Sequence, residues 1–195
     1  NKSEKTKSNS NGDWILKIQT DSSVGPYELS ISTSDDTKII KNILFGEVWF
    51  ASGQSNMEMP LDGFFGEPVF GAQDIIGKSI NPQIRLITVE RNYSSTPLLN
   101  FDGKWEESNP ESSRYFSAVA YSFAKYIHES LEVPVGIISS AWGGTPAEAW
   151  AEKSFLDDEF EPGIIINNSE EKFEEYNPAY LFNAMLNPLI PFSLR

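Results

Sequence analysis

Downstream of Phe45, short apolar runs alternate with long intervening stretches, and this alternation constrains the fold more than any other feature of the sequence. Three apolar runs are candidate strands, at residues 47–51, 84–89 and 135–139. The stretches between them are long enough to hold helices or loops that cross from one strand to the next. This organisation is typical of an α/β fold with a parallel sheet.

The segments between and after the candidate strands carry helix signals. Residues 115–131 have apolar side chains every four positions and end before Val133-Pro134, which predicts an amphipathic helix. Its apolar positions are Val119, Phe123, Ile127 and Leu131. A second helix is predicted to begin near Pro146, and a third to cover residues 179–186. Helices in these places would connect and cover the predicted sheet.

The N-terminal region has a different pattern of apolar residues, one that is typical of β-strands. Apolar and polar residues alternate at 14–18 and 27–31, and an apolar run with several isoleucines follows at 39–44. Three short strands do not make a stable sandwich, so they are predicted to be the last strands of a larger β domain. The regions expected are a polar leader at 1–12, the end of a β-sandwich accessory domain at 13–44, and an α/β domain at 45–195.

The composition excludes several classes of partner and chemistry. Fifteen Lys and Arg residues against 28 Asp and Glu residues give a net charge of −13, which repels nucleic acids and acidic membrane surfaces. No apolar run approaches the roughly 18 residues that a membrane-spanning helix needs. The absence of cysteine excludes disulfides, thiolate catalysis and cysteine-based metal sites. We therefore expect neither a nucleic-acid partner nor a membrane partner.

Ser55 follows the first candidate strand at once, in the segment SGQSNM at residues 52–57. Open parallel sheets commonly bind ligands at the carboxyl ends of their strands, so this location suits a nucleophile. A small neighbour, Gly53, would let backbone and substrate approach closely. The spacing alone equally fits a polar turn that caps the next helix, and both interpretations stay open at this point.

The wider sequence resembles a known family in several separate blocks. Residues 46–58, GEVWFASGQSNME, resemble the nucleophile block of sialate O-acetylesterases and related acetylxylan esterases, which are SGNH hydrolases. Further similar blocks, in the expected order, lie at 25–31, 116–121, 135–150 and 180–189. The resemblance implies an incomplete three-layer α/β/α SGNH-hydrolase-like parallel sheet, preceded by the last strands of a β-sandwich domain. Residues 45–195 would be the N-terminal part of the hydrolase domain.

The same resemblance implies roles for individual residues. Ser55 would attack an acetyl carbonyl, and its own backbone N–H, with that of Gly143 or Gly144, would face the developing oxyanion. The alternative for the two glycines is that they merely permit a tight turn. Gln54 and Asn56 are assigned, like Glu58, only to holding the nucleophile loop. No metal and no cofactor are implied.

His128 is the only histidine in the chain, and a serine hydrolase ordinarily uses a histidine as its base. We nevertheless predict a structural role, because His128 lies near the end of the helix predicted at 115–131, where a polar or cationic side chain is favourable. In the family the catalytic His follows an Asp near the C-terminus, beyond Arg195, and an Asn of the oxyanion hole is expected just after Arg195. This chain alone is therefore expected to lack the catalytic His and Asp, and to need the remainder of its polypeptide.

The function expected from the resemblance is that of a serine esterase. It would remove O-acetyl groups from a carbohydrate, either a sialic acid or hemicellulose, through an acyl-enzyme. The alternative is a catalytically inactive relative that binds carbohydrate or acts as a scaffold. Three arginines, Arg85, Arg91 and Arg114, are candidates for contacting a sialic acid carboxylate. The family also favours a secreted or periplasmic location.

Overall fold

The computed structural model describes residues 2–19, 23–159, 173–192 and 194, and the chain divides into two units, residues 1–45 and 46–195. Strands β1 (Tyr27–Ser32) and β2 (Thr37–Ile43) form an antiparallel hairpin in the first unit. The Thr33 N–H donates to the Asp36 carbonyl at 2.8 Å and closes the turn between them. The two strands predicted at 27–31 and 39–44 are therefore confirmed.

The strand predicted at residues 14–18 is wrong. These residues form no strand, and Trp14, Ile15 and Ile18 are exposed. A strand needs a neighbouring strand to satisfy its backbone groups, and none pairs with this segment within the part of the unit that is described. The apolar Ile15 between Trp14 and Leu16 also breaks the alternation. The domain boundaries and the β-sandwich assignment stay predictions.

The second unit is built on a four-stranded sheet whose order is β3-β6-β4-β5. Its strands are β3 (Glu47–Gly53), β4 (Asn81–Thr88), β5 (Glu106–Ser108) and β6 (Val135–Ala141). The central β6 pairs in parallel with both β3 and β4, which confirms the three predicted strands. The short β5, antiparallel to β4, was not predicted because its three residues are polar. The sheet is thus mixed, with a parallel core.

Side chains of the parallel strands alternate between two apolar clusters, one on each face of the sheet. In β3, Trp49 and Ala51 pack into one cluster, whereas Val48 and Phe50 pack into the other. The period of two in strand side chains produces this division. Because helices complete both clusters, the unit has three layers, α/β/α, as the sequence predicts.

Five α-helices and four other short helical turns surround the sheet in the described residues. The α-helices are α1 (Ser55–Glu58), α2 (Ala72–Gly77), α3 (Pro110–Arg114), α4 (Ala118–Leu131) and α5 (Lys153–Glu159). The turns are 3₁₀ helices at Ala147–Trp150, Glu174–Tyr176 and Asn187–Leu189, and a π-helix at Phe182–Leu186. The helix predicted near Pro146 is present as a 3₁₀ turn. The helix predicted at 179–186 is present largely as a π-helix. None of the helices described is long and apolar enough to span a bilayer.

Helix α4 confirms the helix predicted at 115–131 but buries a different face from the one expected. Ser117 caps it by accepting a hydrogen bond from the Ala120 N–H at 3.2 Å. The small residues Ala120 and Ala124 face the core, with Tyr121, and let the helix approach the sheet closely. Val119 and Leu131, by contrast, are exposed. The four-residue spacing therefore marked a stripe that lies mainly outside the core.

Candidate active site

Ser55 is the first residue of α1 and follows β3 directly, so it lies at the carboxyl edge of the parallel strands. Strands β3 and β6 run in register, with Gly53 opposite Ala141. Consequently the loops that follow the two strands emerge side by side. The Trp142 N–H donates to the Gly53 carbonyl at 3.1 Å and joins them.

Gly143 lies against Ser55. An ideal Cβ placed on Gly143 would be 3.0 Å from Ser55 Oγ and 2.6 Å from Glu58 Oε2, so only glycine fits without a shift. Gly144 has a φ of +81°, a conformation that glycine adopts without strain. The structure therefore brings Ser55 next to the Gly143-Gly144 loop, as expected from the sequence.

Ser55 is exposed to solvent. Neither its hydroxyl oxygen nor its backbone N–H has a hydrogen-bond partner among the residues described. A serine in this state is accessible to a substrate, but no described residue is hydrogen-bonded to its hydroxyl to accept the proton. The arrangement can supply a nucleophile and a backbone donor.

His128 lies at the opposite end of α4 from the residues next to α1. The first residue of α4, Ala118, donates its N–H to the Met59 carbonyl at 2.8 Å, so this end of the helix adjoins the end of α1. His128 lies ten residues further along the helix, about 15 Å away at 1.5 Å per residue. Its Nδ1 is 2.7 Å from the Val133 carbonyl oxygen, near the start of β6. This contact at the end of α4 fits the structural role predicted for His128.

The two supporting residues named from the sequence differ in their contacts. Gln54 donates from Nε2 to the Thr145 carbonyl at 3.2 Å and so links the nucleophile loop to the loop after β6. Asn56 is exposed, and its side chain makes no hydrogen bond within the described ranges. Gln54 thus contacts the second loop directly, whereas Asn56 faces the solvent beside Ser55.

Thr145 fixes the end of the loop that carries Gly143. Its hydroxyl donates to the Trp142 carbonyl at 2.7 Å and accepts a hydrogen bond from Trp150 Nε1 at 2.8 Å. Thr145 is almost fully buried, so these bonds form away from water. The loop that carries Gly143 is therefore held at both ends. At its start the Trp142 N–H bonds to Gly53, and at its end the Thr145 hydroxyl bonds to Trp142 and Trp150.

Glu58 and Arg91 form an ion pair at the site that the sequence did not reveal. Glu58 Oε2 accepts the Gly143 N–H at 2.8 Å, and Glu58 Oε1 pairs with the Arg91 guanidinium. The Arg91 guanidinium carbon lies 5.3 Å from the centroid of the Trp142 ring. Arg91 comes soon after the carboxyl end of β4, and that position in the sequence is the one signal that could have indicated its place.

The other two arginines considered for ligand contact are engaged elsewhere. Arg85 pairs with Glu107 of β5 at 2.9 Å, and Arg114 pairs with Asp62 at 2.9 Å. Of the three candidates, Arg91 is therefore the one whose described contacts reach the residues around Ser55.

The chain is similar to known proteins in both sequence and structure. No family model matches the chain. Sialate O-acetylesterase of Rattus norvegicus is 27% identical over 223 residues, covering 93% of this chain and 40% of the rat protein. The Homo sapiens enzyme is 28% identical over 196 residues, covering 93% of this chain and 36% of the human one. The crystal structure of a carbohydrate acetylesterase from Xanthomonas citri matches with a TM-score of 0.81 and 30% identity, over 95% of this chain and 39% of that one.

These matches span nearly all of this chain but only about two fifths of each relative's length. A mixed sheet with a parallel core, covered by helices on both faces and with a serine after one strand, defines an incomplete SGNH-like α/β fold. The chain belongs to the family of the sialate O-acetylesterases and related carbohydrate acetylesterases. Its relatives carry the names of carboxylic ester hydrolases.

Proposed function

We propose that this protein is a serine esterase that removes O-acetyl groups from a carbohydrate through an acyl-enzyme. The observation that carries the proposal is the position of Ser55, exposed at the carboxyl end of β3 with the backbone of Gly143 against its hydroxyl. The names of the relatives support the choice of an acetylated carbohydrate as substrate.

In the proposed first step, Ser55 Oγ forms a bond to the acetyl carbonyl carbon and gives its proton to a base. The carbonyl oxygen becomes an oxyanion, and backbone N–H groups beside Ser55 stabilise it. When the oxyanion collapses, the bond to the sugar oxygen breaks and that oxygen takes up the proton. Water then hydrolyses the acetyl-Ser55 ester and releases acetate. Each well-placed oxyanion donor contributes about 3–4 kcal/mol to this chemistry.

The source of the general base that deprotonates Ser55 is also part of the proposal. The sequence has one histidine, and it lies at the far end of α4. We infer that a histidine and an aspartate from residues beyond Arg195 complete the site, as the family resemblance implies. A polypeptide of residues 1–195 alone should then retain only the residual rate from binding and backbone donors, several orders of magnitude below that of the whole protein.

Two substrate classes fit the proposal, O-acetylated sialic acid and acetylated hemicellulose. A sialate carboxylate would require a cation at the site, and Arg91 is half-exposed there but already paired with Glu58. Acetate release from an O-acetylated sialic acid and from an acetylated xylo-oligosaccharide, compared at equal concentration, separates the two classes.

The second candidate is an inactive relative that binds carbohydrate, and it is favoured by the lack of a hydrogen-bond partner for the Ser55 hydroxyl among the described residues. Labelling with a serine-directed fluorophosphonate distinguishes the two functions, because only an activated serine reacts. We expect the whole protein to be labelled and the Ser55→Ala variant not to be. Unlabelled wild-type protein that still binds acetylated sugar would favour the inactive relative.

A further inference from the structure

We propose that Glu58 and Arg91 act as a positioning pair for the esterase site. Glu58 holds the backbone at Gly143, and Arg91 cancels the negative charge that Glu58 would otherwise place beside the oxyanion. This inference rests on the proposed function, since an oxyanion forms only if Ser55 attacks an ester.

The positioning part follows from the contacts of Glu58. Its carboxylate belongs to the same short helix as Ser55, and one oxygen accepts the Gly143 N–H at 2.8 Å. A hydrogen bond to an ionised acceptor is stronger than one between neutral groups. Glu58 therefore fixes the Gly143 backbone relative to Ser55, across a gap of 85 residues in the sequence.

The hydrogen bond also determines which backbone donors remain for an oxyanion. The Gly143 N–H is already directed to Glu58 Oε2. The backbone N–H groups of Ser55 and Gly144 have no partner in the residues that the structure covers. Of the two glycines named from the sequence, Gly144 is thus the better candidate for the second donor.

The role of Arg91 in neutralising Glu58 follows from the position of the Glu58 carboxylate. Glu58 Oε2 would lie 2.6 Å from a Cβ on Gly143, and that Cβ would be 3.0 Å from Ser55 Oγ, so the carboxylate is close to the reacting atoms. Its side chain is only 20% exposed, so water screens its charge poorly. A lone carboxylate here would repel the negative charge that develops on the substrate. Arg91 pairs with Glu58 and removes this repulsion.

Arg91 is itself held in place. Its guanidinium lies over the Trp142 ring, next to Gly143 in the sequence, while it pairs with Glu58. Stacking and ion pairing together restrict the guanidinium more than either contact does alone. The pair consequently connects α1, the segment after β4 and the loop after β6.

Four variants of the whole protein test the pair, with kcat and KM measured on an acetyl ester. Arg91→Gln leaves an uncompensated carboxylate, so we expect kcat to fall about tenfold or more with KM within about twofold. Glu58→Gln/Arg91→Gln removes the repelling charge and keeps an acceptor for Gly143, so kcat should recover at least about threefold over Arg91→Gln. Arg91→Lys should restore most of the activity. Arg114→Gln, which removes the separate Arg114–Asp62 pair, is the matched control and should behave as wild type.

Hydrogen exchange at the Gly143 amide tests the positioning part without any turnover. The amide should exchange slowly in the wild type and in Glu58→Gln, and faster in Glu58→Ala. Equal exchange in all three would overturn the proposal, and so would a double variant no faster than Arg91→Gln. If the wild-type protein shows no Ser55-dependent hydrolysis, the proposed function has failed. The exchange measurement then still decides whether Glu58 holds the loop.

Discussion

The backbone N–H of Trp142 donates to the carbonyl of Gly53 at 3.1 Å, and this bond joins the loops that follow two neighbouring parallel strands. One loop leads into Ser55 and the other carries Gly143. Because β3 and β6 are paired in register up to Gly53 and Ala141, the strands themselves determine that the two loops meet. The candidate site is therefore a consequence of strand pairing, and side-chain contacts then refine it.

Replacing Gly143 by alanine tests how tightly that site is packed. The added methyl group would lie 2.6 Å from Glu58 Oε2 and 3.0 Å from Ser55 Oγ, so the loop or the carboxylate must shift. We expect kcat/KM for an acetyl ester to fall about tenfold or more in a folded variant. Gly77→Ala is the matched control, because nothing lies within 4 Å of its new methyl group. Full activity of Gly143→Ala would show that Gly143 does not pack against the nucleophile.

Replacing Thr145 by valine tests the anchor of the same loop. The variant keeps the side-chain volume but leaves the Trp150 indole N–H and the Trp142 carbonyl without their partner. We expect the free energy of unfolding to fall by about 2–3 kcal/mol, measured by urea denaturation. Thr145→Ser keeps the hydroxyl and should lose much less stability. Equal stability of the valine and serine variants would contradict the anchoring role.

Replacing His128 by alanine tests whether the chain's histidine has a catalytic role. Its ring contacts the Val133 carbonyl at the end of α4, about 15 Å along the helix from Ala118, the residue that adjoins the end of α1. We expect acetyl-ester hydrolysis by the whole protein to stay within about threefold of wild type, with about 1 kcal/mol of stability lost at most. A loss of activity by orders of magnitude in a folded variant would show that His128 is the base after all.

The sequence predicted those features that depend on the order of strands. Ser55 and the Gly143-Gly144 loop each follow an apolar run, and parallel strands bring the ends of such runs to one edge of a sheet. The Glu58–Arg91 pair was not predicted, because it depends on side-chain directions across segments 33 residues apart. No periodicity in the sequence records a contact of that kind.

Errors in the prediction arose where burial was inferred from local pattern. Val119 and Leu131 continue an apolar stripe on α4, yet the sheet packs against the small side chains of Ala120 and Ala124 instead. The apolar residues at 14–18 resemble a strand, but a strand exists only where a partner strand is present. In both cases tertiary packing, which the local sequence does not encode, decided the outcome.

The assignment of Ser55 as the nucleophile is the central claim, and release of acetate from an acetylated carbohydrate tests it most directly. We expect the whole protein to release acetate, and Ser55→Ala to lose at least about a thousandfold in kcat, since loss of the nucleophile removes the covalent route. Ser154→Ala, at an exposed serine on α5, is the matched control and should keep wild-type activity. Acetate release by a folded Ser55→Ala variant at a rate close to wild type would contradict the account.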